Sequence, residues 1–157
     1  MTDTVSPASS PDSAASSALS PSLSLPRSGR SFPAMNDDTA FFWEGTKAHQ
    51  LLIQRCDSCG RLRHPPGPAC PHCHSFEWNT VVAAGTGTLY SFVVQRHPTA
   101  PAFDGPAVIV LVELDEGVRV ISNVAIDPDT LVIGERLEVG FIDQDEGFTV
   151  TEFHRPA

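Results

Sequence analysis

Four cysteines stand as two Cys-x-x-Cys pairs, Cys56-Asp-Ser-Cys59 and Cys70-Pro-His-Cys73, with ten residues between the pairs. No other cysteine occurs in the 157 residues. Two such turns bring four thiolates to the corners of a tetrahedron, the geometry of a closed structural zinc site. Gly60 follows the first pair, where a chain turning around a metal needs positive φ. A site filled by four sulfurs leaves no position for an activated water, so it scaffolds and does not catalyse. Two disulfides are the weaker reading, because no secretory signal precedes the pairs. Iron takes the same sulfur geometry and stays open beside zinc. His64, His72 and His74 crowd the site, and with four correctly spaced sulfurs they are expected as exposed loop residues.

Composition divides the chain further. Residues 1–34 hold eleven serines and five prolines and show no apolar periodicity, so a disordered tail is expected there. The tail has neither a basic start nor an apolar core, unlike a signal peptide. No apolar run reaches membrane-spanning length, and a cytoplasmic protein is expected. Met35 would open a complete domain by itself.

The charges of Asp3, Asp12, Arg27 and Arg30 cancel, so the net charge of −9 belongs to residues 35–157. Lys47 is the only lysine. A nucleic-acid binder needs a cationic stripe, and this balance argues against one. Arg55, Arg61 and Arg63 nevertheless gather at the first cysteine pair. With Arg96 and His97 they are the candidate contacts for a small anion such as the phosphates of CoA; for the three arginines at the first pair the plainer reading is that they solvate the ribbon and balance a zinc tetrathiolate.

Asn36-Asp-Asp-Thr39 reads as a helix start, and Gly45 is expected to end or interrupt that helix. A short piece from Thr46 to Gln50 then leads into a strand at Leu51-Leu52-Ile53. Phe41, Phe42 and Trp43 cannot all face one side of a short helix. They are the candidate partner-binding residues, the alternative being cover by the later domain. Pro65, Pro66 and Pro68 make the connection between the pairs a stiff loop.

From Val81 the texture becomes short β-branched runs separated by turns. Strands are expected at Thr86–Arg96, Ala107–Leu114, Val118–Val124, Arg136–Ile142 and Phe148–Phe153. Tight turns at Asp115-Glu-Gly117 and at 143–147 join two of the pairs. The unbroken run Val108–Val112 reads as a strand buried on both faces. Five antiparallel strands of this size suggest an OB-fold barrel. The stretch from Asp127 to Gly134 is too short for the helix such barrels often carry. The expected plan is mainly β: tail 1–34, helical segment 35–50, zinc ribbon 51–80 and OB-fold 81–157. His97 and Asp104 form a conceivable acid–base pair, but without a nucleophile they read as strand-end and turn residues.

Several stretches together resemble a known family. They are Phe42-Trp43-Glu44-Gly45, Gln54-Arg55-Cys56 to Gly60, Pro65-Pro66 with Cys70 to Cys73 and Trp78, and Gly85-Thr-Gly87-Thr-Leu-Tyr-Ser91. Phe103-Asp104-Gly-Pro106, Leu111 to Gly117 and Ile133-Gly134 extend the match. The chain is similar to the OB-fold acyl-CoA-associated proteins that carry an N-terminal rubredoxin-like zinc ribbon, over about residues 37 to 155. The resemblance implies a non-catalytic accessory subunit of thiolase-fold thiolases or aldolases, or of hotdog-fold enoyl-CoA hydratases, in lipid, sterol or aromatic-acid breakdown. It also implies a hetero-oligomer in which the partner holds the nucleophile. A free-standing CoA or acyl-CoA binder is the alternative, and a single-strand nucleic-acid module a weaker one. The chain departs from the family at His74, where Gly is frequent, and at Ala107, where an aromatic is common.

Overall fold

The computed structural model describes residues 30, 33–98, 103, 105–145 and 147–157. Residues 1–29, which make up most of the expected tail, and Asp104 lie outside the described residues.

Helix α1 spans Ala40–Lys47. The Asn36 side chain accepts hydrogen bonds from the amides of Asp38 (3.1 Å) and Thr39 (3.0 Å), closing a turn just ahead of the helix, whose cap residue Thr39 makes no side-chain cap bond. Gly45 does not stop the helix, contrary to the reading from sequence. A Cβ there would sit 2.6 Å from Leu52 Cγ, so glycine is required by the strand that folds back against the helix. Thr46 and Lys47 complete α1, and the turn that follows places His49 at φ 55°. Phe42 is buried, its ring edge-on to Trp43 at 5.2 Å, while Phe41 lies 5.0 Å from Trp78.

A three-stranded antiparallel sheet follows, in the order β2-β1-β3: β1 Leu52–Cys56, β2 Leu62–Arg63 and β3 Trp78–Val82. β1 runs past the apolar triplet expected as a strand and into the first cysteine. Cys56 pairs with Trp78 and Leu52 with Val82, so Val81 and Val82 belong to this sheet and not to the barrel. Gln54 is wholly buried at the centre. Its carbonyl accepts from Arg63 Nε (2.8 Å) and the Gly67 amide (2.9 Å), and its amide donates to Gly67 O (3.1 Å). One side chain thereby pairs both backbone groups of Gly67 within the proline-rich loop, whose prolines supply no N–H of their own. His64 is half-buried, 5.3 Å from the Phe42 ring, and is not the exposed loop residue expected.

The second half is a closed five-stranded barrel in the order β4-β5-β6-β8-β7. Its strands are β4 Thr86–Gln95, β5 Ala107–Leu114, β6 Arg119–Val124, β7 Arg136–Asp143 and β8 Thr149–His154. The β6–β8 pair is parallel and the others antiparallel. Sequence reading located each of the five barrel strands to within a residue or so at each end. Between β6 and β7 stands only a 3-10 turn, Pro128–Thr130, its first amide pair bound by Asp127. Leu89, Val110, Val112, Val120, Leu137 and Phe153 fill the interior. The β5 run is not buried on both faces. Ile109 and Leu111 point outward and are half-buried, beside exposed Val93 and Ile121. A closed barrel has only one interior, so alternate residues must leave it.

At the start of β4 the backbones come close. A Cβ on Gly87 would lie 2.5 Å from Glu113 O and 2.8 Å from Val112 Cγ1. Gly87→Val is expected to destabilise the barrel by about 2–4 kcal/mol in urea unfolding. His64 gives a pH prediction. Burial lowers its pKa from 6.5 to about 4, so the unfolded chain takes up the proton first as pH falls. Stability should therefore decline between pH 6.5 and 4, by up to about 3 kcal/mol in all. His64→Gln should remove that part of the slope in melts taken across the range.

Candidate metal centre

The two Cys-x-x-Cys turns face each other across the end of the three-stranded sheet. The first closes with the Gly60 amide donating to Cys56 O (2.9 Å), the second with the His74 amide donating to Cys70 O (2.9 Å). Cys56 leaves the last position of β1 and its amide donates to Arg61 O (3.0 Å), which ties the first turn to the approach to β2. Ser58 Oγ donates to Ser75 Oγ (2.9 Å), joining one turn to the other.

The four sulfurs all lie within 4.8 Å of one another. Cys56 and Cys73 approach to 3.5 Å, and Cys59 and Cys70 to 3.6 Å. A tetrahedral ion with metal–sulfur bonds of 2.3 Å needs sulfurs about 3.8 Å apart. Cys56, Cys59, Cys70 and Cys73 are thus positioned for a metal.

Their titration points the same way. The amides of Cys73 and His72 draw the Cys70 thiol down to about 6. The Cys73 thiol is pushed up to about 12: the Ser75 amide pulls it down, but burial and the three neighbouring sulfurs outweigh that bond. Thiolates this close cannot all ionise unless a cation neutralises them.

The second turn departs from the first in one respect. Gly60 has φ 72°, and the equivalent residue His74 has φ 60°. A side chain in the left-handed region costs roughly 1–2 kcal/mol, and His74 bears that strain inside the centre's own loop.

The candidate anion residues do not converge. Arg55 Nε donates to Asn79 Oδ1 (2.9 Å) on the sheet face. Arg63 is held by Gln54 and by Gly67 O (3.0 Å). Arg61 and Arg63 share a cleft of about 290 Å³ with Cys70, Pro71 and His72. Arg96 and His97 are exposed beyond the far end of β4, about 30 Å of strand from its ribbon end. Among the aromatic candidates, Phe42 is buried and Phe41 and Trp43 are half-buried against the core. Gln54 was read only as part of the family resemblance and not for its buried role; its place two residues before a metal-type cysteine was the available signal. Phe76, which is 71% exposed just after the second turn, went unread.

Family models match two adjacent stretches. Residues 43–79 match the rubredoxin-like zinc ribbon domain of ChsH2, and residues 80–142 its C-terminal OB-fold domain. The chain is 33% identical over 96 residues to a "DUF35 domain-containing scaffold protein" of Methanothermobacter thermautotrophicus, covering 59% of this chain and 72% of that one. The chain belongs to the ChsH2 (DUF35) family. It is also 50% identical over 133 residues to a "probable enoyl-CoA hydratase alpha subunit" of Thermomonospora curvata, covering 84% of this chain. With the "3-oxo-4,17-pregnadiene-20-carboxyl-CoA hydratase alpha subunit" of Mycobacterium tuberculosis it shares 47% identity over 112 residues, 71% of this chain. The chain spans only 41% and 36% of the length of those two relatives. Among solved structures it is similar to a chain of "Ltp2-ChsH2(DUF35) aldolase", with 49% identity and a TM-score of 0.74, over 79% of this chain and 98% of that one.

Restoring glycine tests the strain in the second turn. His74→Gly is expected to stabilise the metal-loaded chain by about 0.5–1 kcal/mol and to slow metal loss to a chelator. Cys70→Ser should lose the metal and collapse the 52–82 sheet while leaving barrel amides protected, read by metal analysis and hydrogen exchange.

Proposed function

We propose that the chain is a non-catalytic scaffolding subunit of an acyl-CoA-processing complex, joined to a thiolase-fold aldolase in the breakdown of steroid side chains or related acyl groups. The observation that carries this reading is the likeness to the aldolase-complex chain, 98% of which is covered at 49% identity. The scaffold name of the Methanothermobacter thermautotrophicus relative supports it. The hydratase alpha subunits support a hetero-oligomer with an enzyme of CoA thioesters, and a hotdog-fold hydratase is the second candidate partner.

In this reading the four cysteines hold zinc, which supplies cohesion and no chemistry, since a tetrathiolate has no open coordination position. The ribbon buries few apolar residues of its own, and a structural zinc contributes about 10–16 kcal/mol to folding such a module. The half-exposed edges of Phe41 and Trp43 are the partner contacts we assign at the N-terminal end. Arg61 and Arg63 are the contacts we assign to a CoA phosphate, because both line the cleft beside Cys70. Among the described residues no helix is long and apolar enough to cross a membrane. We place the complex in the cytoplasm, with the acyl-CoA pool.

A tagged chain purified from its native host should carry a near-stoichiometric thiolase-fold or hydratase partner, identified by mass. The chain alone should show no acyl-CoA turnover, and adding it should raise or restore the partner's activity. A partner that is soluble and fully active alone, or a chain that elutes without one, would overturn the scaffold reading. Heat evolved with CoA by the lone chain would then favour a free-standing binder.

A further inference from the structure

The barrel closes at its shortest seam. β6 and β8 run parallel and share two registered pairs, Asn123 with Glu152 and Val124 with Phe153. The antiparallel β7–β8 and β5–β6 ladders have six and five. Parallel pairing is also slightly weaker per residue. Something outside the ladder is therefore well placed to hold this seam.

Arg30 lies across it. Its Nη1 donates to Asn123 Oδ1 at 3.2 Å, and its Nη2 stands 3.9 Å from Glu152 Oε2. These are the two residues of one registered pair, one on each strand. The guanidinium also stacks over Phe103, 4.7 Å from the ring centroid, so it reaches the β4–β5 connection as well. The side chains of Arg30 and Glu152 are 12% and 5% exposed. A charge pair this sheltered is screened little by salt and is costly to break from one side. Arg30 stands outside both family-matched stretches and upstream of Met35, in the part of the sequence that reads as a disordered tail.

We propose that Arg30 is a strap across the closing seam of the barrel. By donating to Asn123 and pairing its charge with Glu152 it joins β6 to β8, and it also stacks on Phe103 between β4 and β5. Arg30, upstream of Met35, is then a working part of this barrel. The inference does not depend on the partner or on the metal.

The test compares six zinc-loaded proteins: the full chain, Arg30→Met, a chain begun at Met35, Arg27→Met as a charge-matched control, Glu152→Gln, and Arg30→Met combined with Glu152→Gln. Arg30→Met and the shortened chain should each melt about 3–6 °C below the full chain. The Ala125 amide, which donates to Phe153 O beside the seam, should exchange at least about tenfold faster. Amides of the 52–82 sheet should be unaffected. Glu152→Gln should lower the melting temperature little once Arg30 is gone, since the two residues act as a pair. The strap is refuted if Arg30→Met melts and exchanges like the full chain. It is equally refuted if Arg27→Met loses as much, or if the Arg30 and Glu152 effects add.

Discussion

Four sulfurs held within 4.8 Å of one another form an arrangement that only a shared cation makes favourable, and everything from α1 to Val82 is organised around it. β1 ends on a metal-type cysteine, and β3 begins opposite that same residue. Between the two turns the chain offers prolines, which cannot build a ladder, so Gln54 reaches across to close the loop with three hydrogen bonds. Such a module has little core of its own. Helix α1 supplies what it lacks by laying Phe42 against His64 and Phe41 against Trp78. The glycine in the helix makes that approach possible.

The barrel obeys a different logic. Its interior is a conventional apolar core, but closure puts one parallel pair among antiparallel neighbours. Closure also leaves an outer surface where apolar residues cannot all be hidden. Val93, Ile121 and Tyr90 stand exposed there, the last with the Arg119 guanidinium 3.6 Å over its ring. At the ribbon end Arg136 grips Asp115 through two bonds of 2.7 Å, joining the β5–β6 turn to β7. That contact holds the Asp115 carboxyl well below the usual range, so whatever it contributes is lost only in strong acid.

Strand positions in the barrel were legible because their signals are local. β-branched runs alternate with turn glycines, and Gly117 and Gly147 sit at positive φ as their turns require. The metal-type set was legible for the same reason, since ligand spacing is a property of the chain. The errors fell where distant residues meet. Gly45 reads as a helix breaker until Leu52 is seen packed on it, and His64 reads as solvent-facing until Phe42 covers it. The Val108–Val112 run reads as doubly buried because hydropathy does not say whether a strand's second face is covered.

Spacing, turn chemistry and hydropathy run along the chain, so the residues alone specified a tetrathiolate ribbon followed by a five-stranded barrel. Whether a guanidinium meets an amide 93 positions away and a carboxylate 122 positions away depends on how the barrel closes, which no local pattern carries. Only the folded chain could place Arg30 on Asn123 and Glu152, or set Arg61 and Arg63 apart from Arg96 and His97. Convergence of that kind follows from closure of the β6–β8 seam and from the length of β4, which are facts of three dimensions.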